Sequence, residues 1–221
     1  MKKLFSYLGL QNSSKEKEFD GIENLSFNIN KQTLINELSF IVLDTETSGL
    51  DKNAQLISLG LVELKNGEIE INKSMSQFYT WETSNGTSSI HGELSREISA
   101  EKEKEQLREL LFRIGNKPIV GHHIHFDISV LNKKIRTFFP NNKIKNQLLD
   151  TNDLWNRINN SSESNSLDEL CAKKGIIIEN RHTALGDAYL TALVFMNILQ
   201  KLKKRGVLCS RDLFKKRSGL L

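Results

Sequence analysis

An apolar run that ends abruptly in acid constrains this chain more than any other feature. Phe40-Ile41-Val42-Leu43 leads directly into Asp44-Thr45-Glu46-Thr47-Ser48-Gly49-Leu50. The run reads as a buried strand over Phe40–Asp44. In an extended chain, residues i and i+2 point to the same face. Asp44 and Glu46 therefore aim two negative charges at one point. Like charges that close push each other's pKa up unless a cation sits between them. A divalent ion is the simplest resolution, because hard cations take carboxylate oxygens.

The chain has 221 residues, which suggests one domain with appendages. Hydrophobic content of 38% and charged content of 26% fit a soluble globular protein with a real core. No apolar run of roughly 18 residues occurs, so no membrane span is expected. The start, Met1 to Leu10, has only a short, interrupted apolar stretch. Lys15-Glu16-Lys17-Glu18 follows without a small-residue cleavage site, and the expectation is a cytoplasmic protein. Cys171 and Cys209 stand alone, which argues against a disulfide framework or a cysteine-based zinc site. Cys171 falls at a core position of an expected helix, as free cysteines often do.

The net charge of +4 is uneven: residues 201–221 contribute +7 and the first 200 residues −3. The basic end reads as a solvated tail, with phosphate or partner binding as the sharper alternative. Residues 1–37 read as an N-terminal extension without net charge, in which 22–38 could pack a short helix or strand on the domain. The domain itself is expected over 38–204, followed by a basic tail, 205–221.

Within the domain the pattern is regular. Gln55–Leu64 and Glu68–Met75 read as strands joined by an Asn66-Gly67 hairpin turn. Leu107, Leu110, Leu111 and Ile114 follow helical spacing, and Gly115 supplies a stop. Pro118–Gly121 reads as a short strand. A helix with Val130, Leu131, Ile135 and Phe138 follows and ends by Pro140. Gln147–Asp150 is another short strand. Ser166 and Glu169 form a capping box for the next helix, and a long apolar helix spans about Thr183 to Lys204. Three strands followed by alternating helices and strands make an α/β domain with a mixed, helix-covered sheet.

Two further places carry convergent polar chemistry. One is Gly121-His122-His123-Ile124-His125-Phe126-Asp127, between a strand and a helix; the other is His182-Thr183-Ala184-Leu185-Gly186-Asp187, opening the long helix. Taken singly each has an ordinary reading. Asp-x-Glu is often a solvated pair, and His-x4-Asp is often a helix cap with a first-turn acid. His122 reads as structural. His123 and His125 read as strand-end polar side chains, because no cysteine or third histidine completes a zinc set. Trp81 and Trp155 read as packing residues ahead of base-stacking platforms.

Taken together, the Asp-x-Glu, His-x4-Phe-Asp and His-x4-Asp motifs resemble the DEDDh group of 3′→5′ exonucleases, with the proofreading epsilon subunit of bacterial DNA polymerase III as the nearest likeness. The resemblance covers about residues 38–204. It implies a ribonuclease-H-like fold with a five-stranded mixed sheet flanked by helices. It implies that Asp44, Glu46, Asp127 and Asp187 hold two divalent ions, Mg²⁺ or Mn²⁺, with Asp44 bridging both. His182 is implied as the general base, a role that suits a side chain whose ordinary titration lies near neutral pH. Ile90, His91 and Thr47 are implied as contacts to the 3′-terminal nucleotide. The family usually has His-Asn where this chain has His122-His123. The expected activity is release of nucleoside 5′-monophosphates from a single-stranded or frayed DNA 3′ end, in proofreading or repair. The alternatives are an RNA exonuclease or oligoribonuclease, and a non-catalytic module docking on a replication or repair complex. The terminal segments could reach such a polymerase or repair complex.

Overall fold

The computed structural model describes residues 29–81, 98–179 and 181–215. Strands β1 (Ser39–Thr47), β2 (Leu56–Lys65) and β3 (Glu68–Phe78) come first. Then follow α1 (Ala100–Ile114), β4 (Ile119–Gly121), α2 (His125–Phe138), β5 (Leu148–Asp150), α3 (Thr151–Asn159), α4 (Leu167–Ala172), α5 (Ala184–Lys204) and α6 (Ser210–Leu213). The sheet order is β3-β2-β1-β4-β5. β1 is central, antiparallel to β2 and parallel to β4; β2 and β3 are antiparallel, and β4 and β5 parallel. This is the five-stranded mixed sheet expected from the order of elements.

Local chemistry accounts for the elements. Asn66 and Gly67 have φ of 54° and 80°, and Lys65 pairs with Glu68 across them. Two positive φ values in a two-residue loop match the strand twist, which is why Asn-Gly is favoured there. In α1, Ser99 caps Lys102, while Leu107, Leu110, Leu111 and Ile114 form the buried stripe. The Ser166–Glu169 capping box opens α4. Helix α2 stops at Phe138, two residues before Pro140 breaks the hydrogen-bond pattern.

Three details depart from the sequence expectation. β1 continues past Asp44 to Thr47, because β2 supplies partners as far as Leu56. β3 runs on to Phe78 for the same reason, pairing with Ser58. His123 and His125 do not share a strand face: His123 sits in a turn with φ 57°, and His125 starts α2.

The sheet divides the core in two, and β1 alternates between the halves. Phe40 and Val42 pack with Trp155, Ala188 and Phe195 from α3 and α5. Ile41 and Leu43 pack with Leu107, Leu131 and Ile135 from α1 and α2. Phe40 and Phe195 meet edge to face at 5.1 Å. Residues on both sides of 38–204 join the first core. Ile35 lies in a 3₁₀ turn (Ile35–Glu37), Leu34 bridges to Cys209, and Leu213 of α6 is buried. Residues 1–28 and 216–221 lie outside the described residues. Among the described residues, no helix is long and apolar enough to cross a membrane.

Gly60 determines how closely α5 approaches the sheet. It pairs with Asp44 across β1 and β2, and a Cβ there would stand 2.2 Å from the Ala184 and Leu185 backbone. Backbone cannot move aside as a flexible side chain can. Gly60→Val is therefore expected to cost about 3 kcal/mol of stability, measured by urea unfolding. A loss below about 1 kcal/mol would contradict this close packing.

Candidate functional site

The strand alternation that builds the core also builds the site. Asp44 and Glu46 continue the Phe40–Val42 side of β1, the side covered by α5. Thr183 caps α5, its Oγ1 accepting from the Gly186 N–H at 3.1 Å. Asp187, in the first turn, is thereby set beside the strand. Asp44, Glu46 and Asp187 each offer a carboxylate oxygen, and these oxygens lie within 4.8 Å of one another. Among the described residues this cluster is made wholly of hard oxygen donors. One oxygen of Asp187, Oδ1, is buried without a hydrogen-bond partner.

Asp127 reaches the strand end from the opposite side of the sheet. It lies in the first turn of α2, and its Oδ1 accepts from Thr45 Oγ1 at 2.6 Å and Thr45 N at 3.0 Å. Thr45 thus faces away from its acidic neighbours and fixes the fourth acid. Asp127 is outside the tight three-carboxylate group, yet its charge still acts on Asp44. Burial first, then the charges of Asp127, Asp187 and Glu46, raise the Asp44 carboxyl well above the usual range. Asp127 is pushed up to about 6, chiefly by burial, against the lowering effect of its Thr45 hydrogen bonds. Four acids held this close favour protons or cations, and oxygen-only donors fit a hard divalent ion.

The structure already supplies one cation. The Arg181 guanidinium pairs with Asp187 through Nη1 and with Asp168 through Nε, the latter at 2.6 Å. Its charge partly offsets the repulsion at Asp44. His182 is exposed on the turn between Arg181 and α5, with φ 61°. Among the described residues no hydrogen bond or ion pair joins it to the carboxylate cluster, and its neighbour Arg181 anchors the turn that carries it.

The β4–α2 turn is held from below. Asp150 Oδ2 accepts from the Ile124 N–H at 3.1 Å while its Oδ1 caps α3 at Asn152. His122 Nδ1 meets Thr151 Oγ1 at 2.8 Å, consistent with the structural part expected for it. His123 is exposed in the left-handed region, where Asn, Asp and His are enriched over other residues. The His-for-Asn difference in the second motif therefore falls at a position whose demand is on the backbone.

A cleft of about 500 Å³ opens beside these groups, lined by Asp44 to Leu50, His122, His123, Phe126 and Asp127. Thr47 lines it, its Oγ1 donating to the Gly49 carbonyl at 2.7 Å. Ile90 and His91 lie outside the described residues. Trp155 is 8% exposed and belongs to the core, as does Cys171. Sequence reasoning missed Arg181, Gly60 and the part played by Thr45. Arg181 and Gly60 carry no local signal; Thr45 sits between two acids, and its alternation to the other face was the available clue.

A family model described as Exonuclease matches residues 41–195. DNA polymerase III PolC-type from Staphylococcus haemolyticus is 29% identical over 200 residues, covering 84% of this chain and 13% of that protein. A DNA polymerase III subunit epsilon-like protein from Rhodobacter capsulatus is 28% identical over 187 residues, covering 80% of this chain and 26% of that protein. The chain thus spans about an eighth to a quarter of the length of these relatives. The nuclease domain of 3′hExo, a DEDDh family member bound to rAMP, superposes with TM-score 0.59 at 14% identity, over 73% of this chain and 92% of that one. S. pombe Pop2p, bound to Mg²⁺ and Mn²⁺, superposes with TM-score 0.57 at 16% identity, over 93% of this chain and 96% of that one. At such identities the likeness is one of fold, and the fold is ribonuclease-H-like.

Proposed function

This chain belongs to the exonuclease family, and from that membership we propose that it is a metal-dependent 3′→5′ exonuclease. It removes nucleoside 5′-monophosphates from a single-stranded or frayed DNA 3′ end, in proofreading or repair. The observation that carries this reading is the convergence of Asp44, Glu46 and Asp187 at one strand end, with Asp127 beside them on Thr45. A cluster of acids facing an anionic phosphodiester has a use only if cations reverse its sign.

Asp44, Glu46, Asp127 and Asp187 would hold two divalent ions, Mg²⁺ or Mn²⁺. Such ions, when bound, stabilise the attacking and leaving oxygens of an in-line displacement. The chain's own residues do the rest. Thr45 orients the Asp127 carboxylate. Arg181 pairs with Asp187 and offsets part of its charge. The Asp44–Leu50 cleft, with Thr47, receives the terminal nucleotide, and Ile90 and His91 are proposed as further contacts to it. His182 takes the proton of the attacking water and carries it away from the cluster.

The test is digestion of matched DNA and RNA strands carrying a label at either end, with Mg²⁺ and with Mn²⁺. Stepwise shortening from the 3′ end with mononucleotide products is expected, faster on DNA. Preference for DNA is supported by the two DNA polymerase III relatives. The rAMP in the 3′hExo structure supports RNA as the second substrate to compare. Internal cuts, or no product with either metal, would overturn the reading. His182→Ala is expected to slow turnover on the order of 10²–10⁴-fold, the usual weight of a general base. Its Mn²⁺ affinity should stay within about twofold by calorimetry, because His182 is not among the carboxylates. A mutant that keeps its rate would remove His182 from the mechanism.

The terminal segments, 1–37 and 205–221, are proposed to reach a polymerase or repair complex. A truncation testing this belongs after Lys215, since Leu213 is part of the core.

A further inference from the structure

Far from the carboxylates, three ammonium groups converge on one indole. Lys174, Lys201 and Lys173 stand 4.6, 5.4 and 5.8 Å from the centre of the Trp155 ring. They come from two places, the turn after α4 and the last turns of α5. Lys173 is satisfied: it donates to Asn165 Oδ1 and lies 3.9 Å from Glu163. Lys174 and Lys201 are not. Among the described residues neither forms an ion pair with a carboxylate, and both stand over the same ring. Attraction to an aromatic face is worth about 0.5–1 kcal/mol for an exposed cation. That accounts for one lysine on the ring, and Lys173 has partners of its own, which leaves the close approach of the second unpaired ammonium unexplained. Burial, then the Lys201 ammonium, lower Lys174 to about 8. This is the cationic counterpart of Asp44 and Glu46: like charges gathered where an opposite charge would relieve them.

We propose that Lys174 and Lys201, backed by Trp155 and Lys173, form a binding site for the backbone phosphates of a nucleic-acid strand, separate from the carboxylate cluster. The ligand class rests on the nuclease reading; the need for an oxyanion does not. Ammonium groups without carboxylate partners are free to neutralise phosphates, which releases the strand's condensed counterions and drives sequence-independent binding. The site lies near the far end of α5 from Asp187, about 21 Å away at a helix rise of ~1.5 Å per residue. A strand must span that distance from the reacting end to meet it. The site therefore acts on long substrates and leaves a dinucleotide untouched.

The experiment measures binding of a strand of roughly 12 nucleotides to the full chain in EDTA, across a salt series, for wild type, Lys174→Gln/Lys201→Gln and Lys174→Arg/Lys201→Arg. For the Gln pair the log–log salt slope should shrink by about 1.5, and low-salt affinity should fall on the order of tenfold. The Arg pair should keep both, and with Mg²⁺ restored all three should hydrolyse a dinucleotide alike. An unchanged slope in the Gln pair overturns the proposal. So does inorganic phosphate binding that depends on the two lysines while strand binding does not, which would assign the site to free phosphate. A wild type that binds no strand in EDTA and releases no product with Mg²⁺ or Mn²⁺ removes the nuclease reading and this site's ligand together; one that binds none in EDTA yet digests the strand with metal removes this site alone. A wild type that binds with a slope indifferent to the lysines removes this site alone.

Discussion

Asp44→Asn is expected to lower hydrolysis of a DNA 3′ end on the order of 10³-fold or more, about 4 kcal/mol of transition-state stabilisation. The same substitution is expected to raise the melting temperature of the metal-free protein at pH 7. The two effects have opposite signs for one reason. Asp44 stands among Asp127, Asp187 and Glu46 in a setting that raises its carboxyl well above the usual range, burial contributing most. In the metal-free protein its ionised form is a cost, and the isosteric amide removes that charge while keeping the shape. For a nuclease that binds cations there, the charge is what the site is built around. Activity and metal-free melting temperature should be measured on the same preparation. Loss of both would mean that the substitution damages the fold; full activity would take Asp44 out of the site.

The second large effect is a pH-dependent stabilisation by metal. Asp127 holds its proton up to about 6, whereas an aspartate in the unfolded chain releases it near ~4. Between these values the native state binds more protons than the unfolded state, so stability falls as pH rises through the window. Asp44, raised in the same direction, adds to the fall. For Asp127 alone, about two pKa units correspond to roughly 3 kcal/mol lost by pH 7. A divalent ion needs the ionised carboxylates and offsets this cost. At pH 7 and a hundredfold excess over its dissociation constant, Mg²⁺ or Mn²⁺ should add about 2.7 kcal/mol. That is roughly 5–10 °C for a chain of this size. At pH 5, with Asp127 protonated, most of the metal effect should vanish. Scanning calorimetry at both pH values, with and without metal, tests this. Equal metal stabilisation at pH 5 and 7 would contradict the assignment.

The particular residues show what could be read in advance. Asn66-Gly67, Gly115 and the Ser166–Glu169 box act within a few residues, so local chemistry alone indicated the turn, the stop and the helix start. The same-face aim of Asp44 and Glu46 followed from the two-residue period of a strand, and the nearness of Asp187 to a helix start from its spacing. The full length of β1 was not legible, because Glu46 is a poor strand former with Ser48-Gly49 close behind it, and the extension to Thr47 depends on the β2 partners. Arg181 could not be foreseen as the companion of Asp187. Its contacts to Asp168 and Asp187 depend on how α4 and α5 sit against each other.

The same division runs through the whole protein. By itself the sequence determined the order of the five strands and of helices α1, α2, α4 and α5, the two faces of β1 and the acidic and histidine motifs, all consequences of period and nearest-neighbour chemistry; α3 and α6 came only with the structure. Only the tertiary structure decided which acids meet. Gly60 lets α5 press against the sheet opposite Asp44, so Asp187 joins Asp44 and Glu46. Thr45, turned to the other face, receives Asp127 from α2. It also decided that Trp155 is buried in the core, with lysines from distant segments gathered on its ring. The physical reason is range. Turns, caps and strand alternation are set by neighbouring residues, whereas charge clusters depend on distances between segments that packing alone fixes.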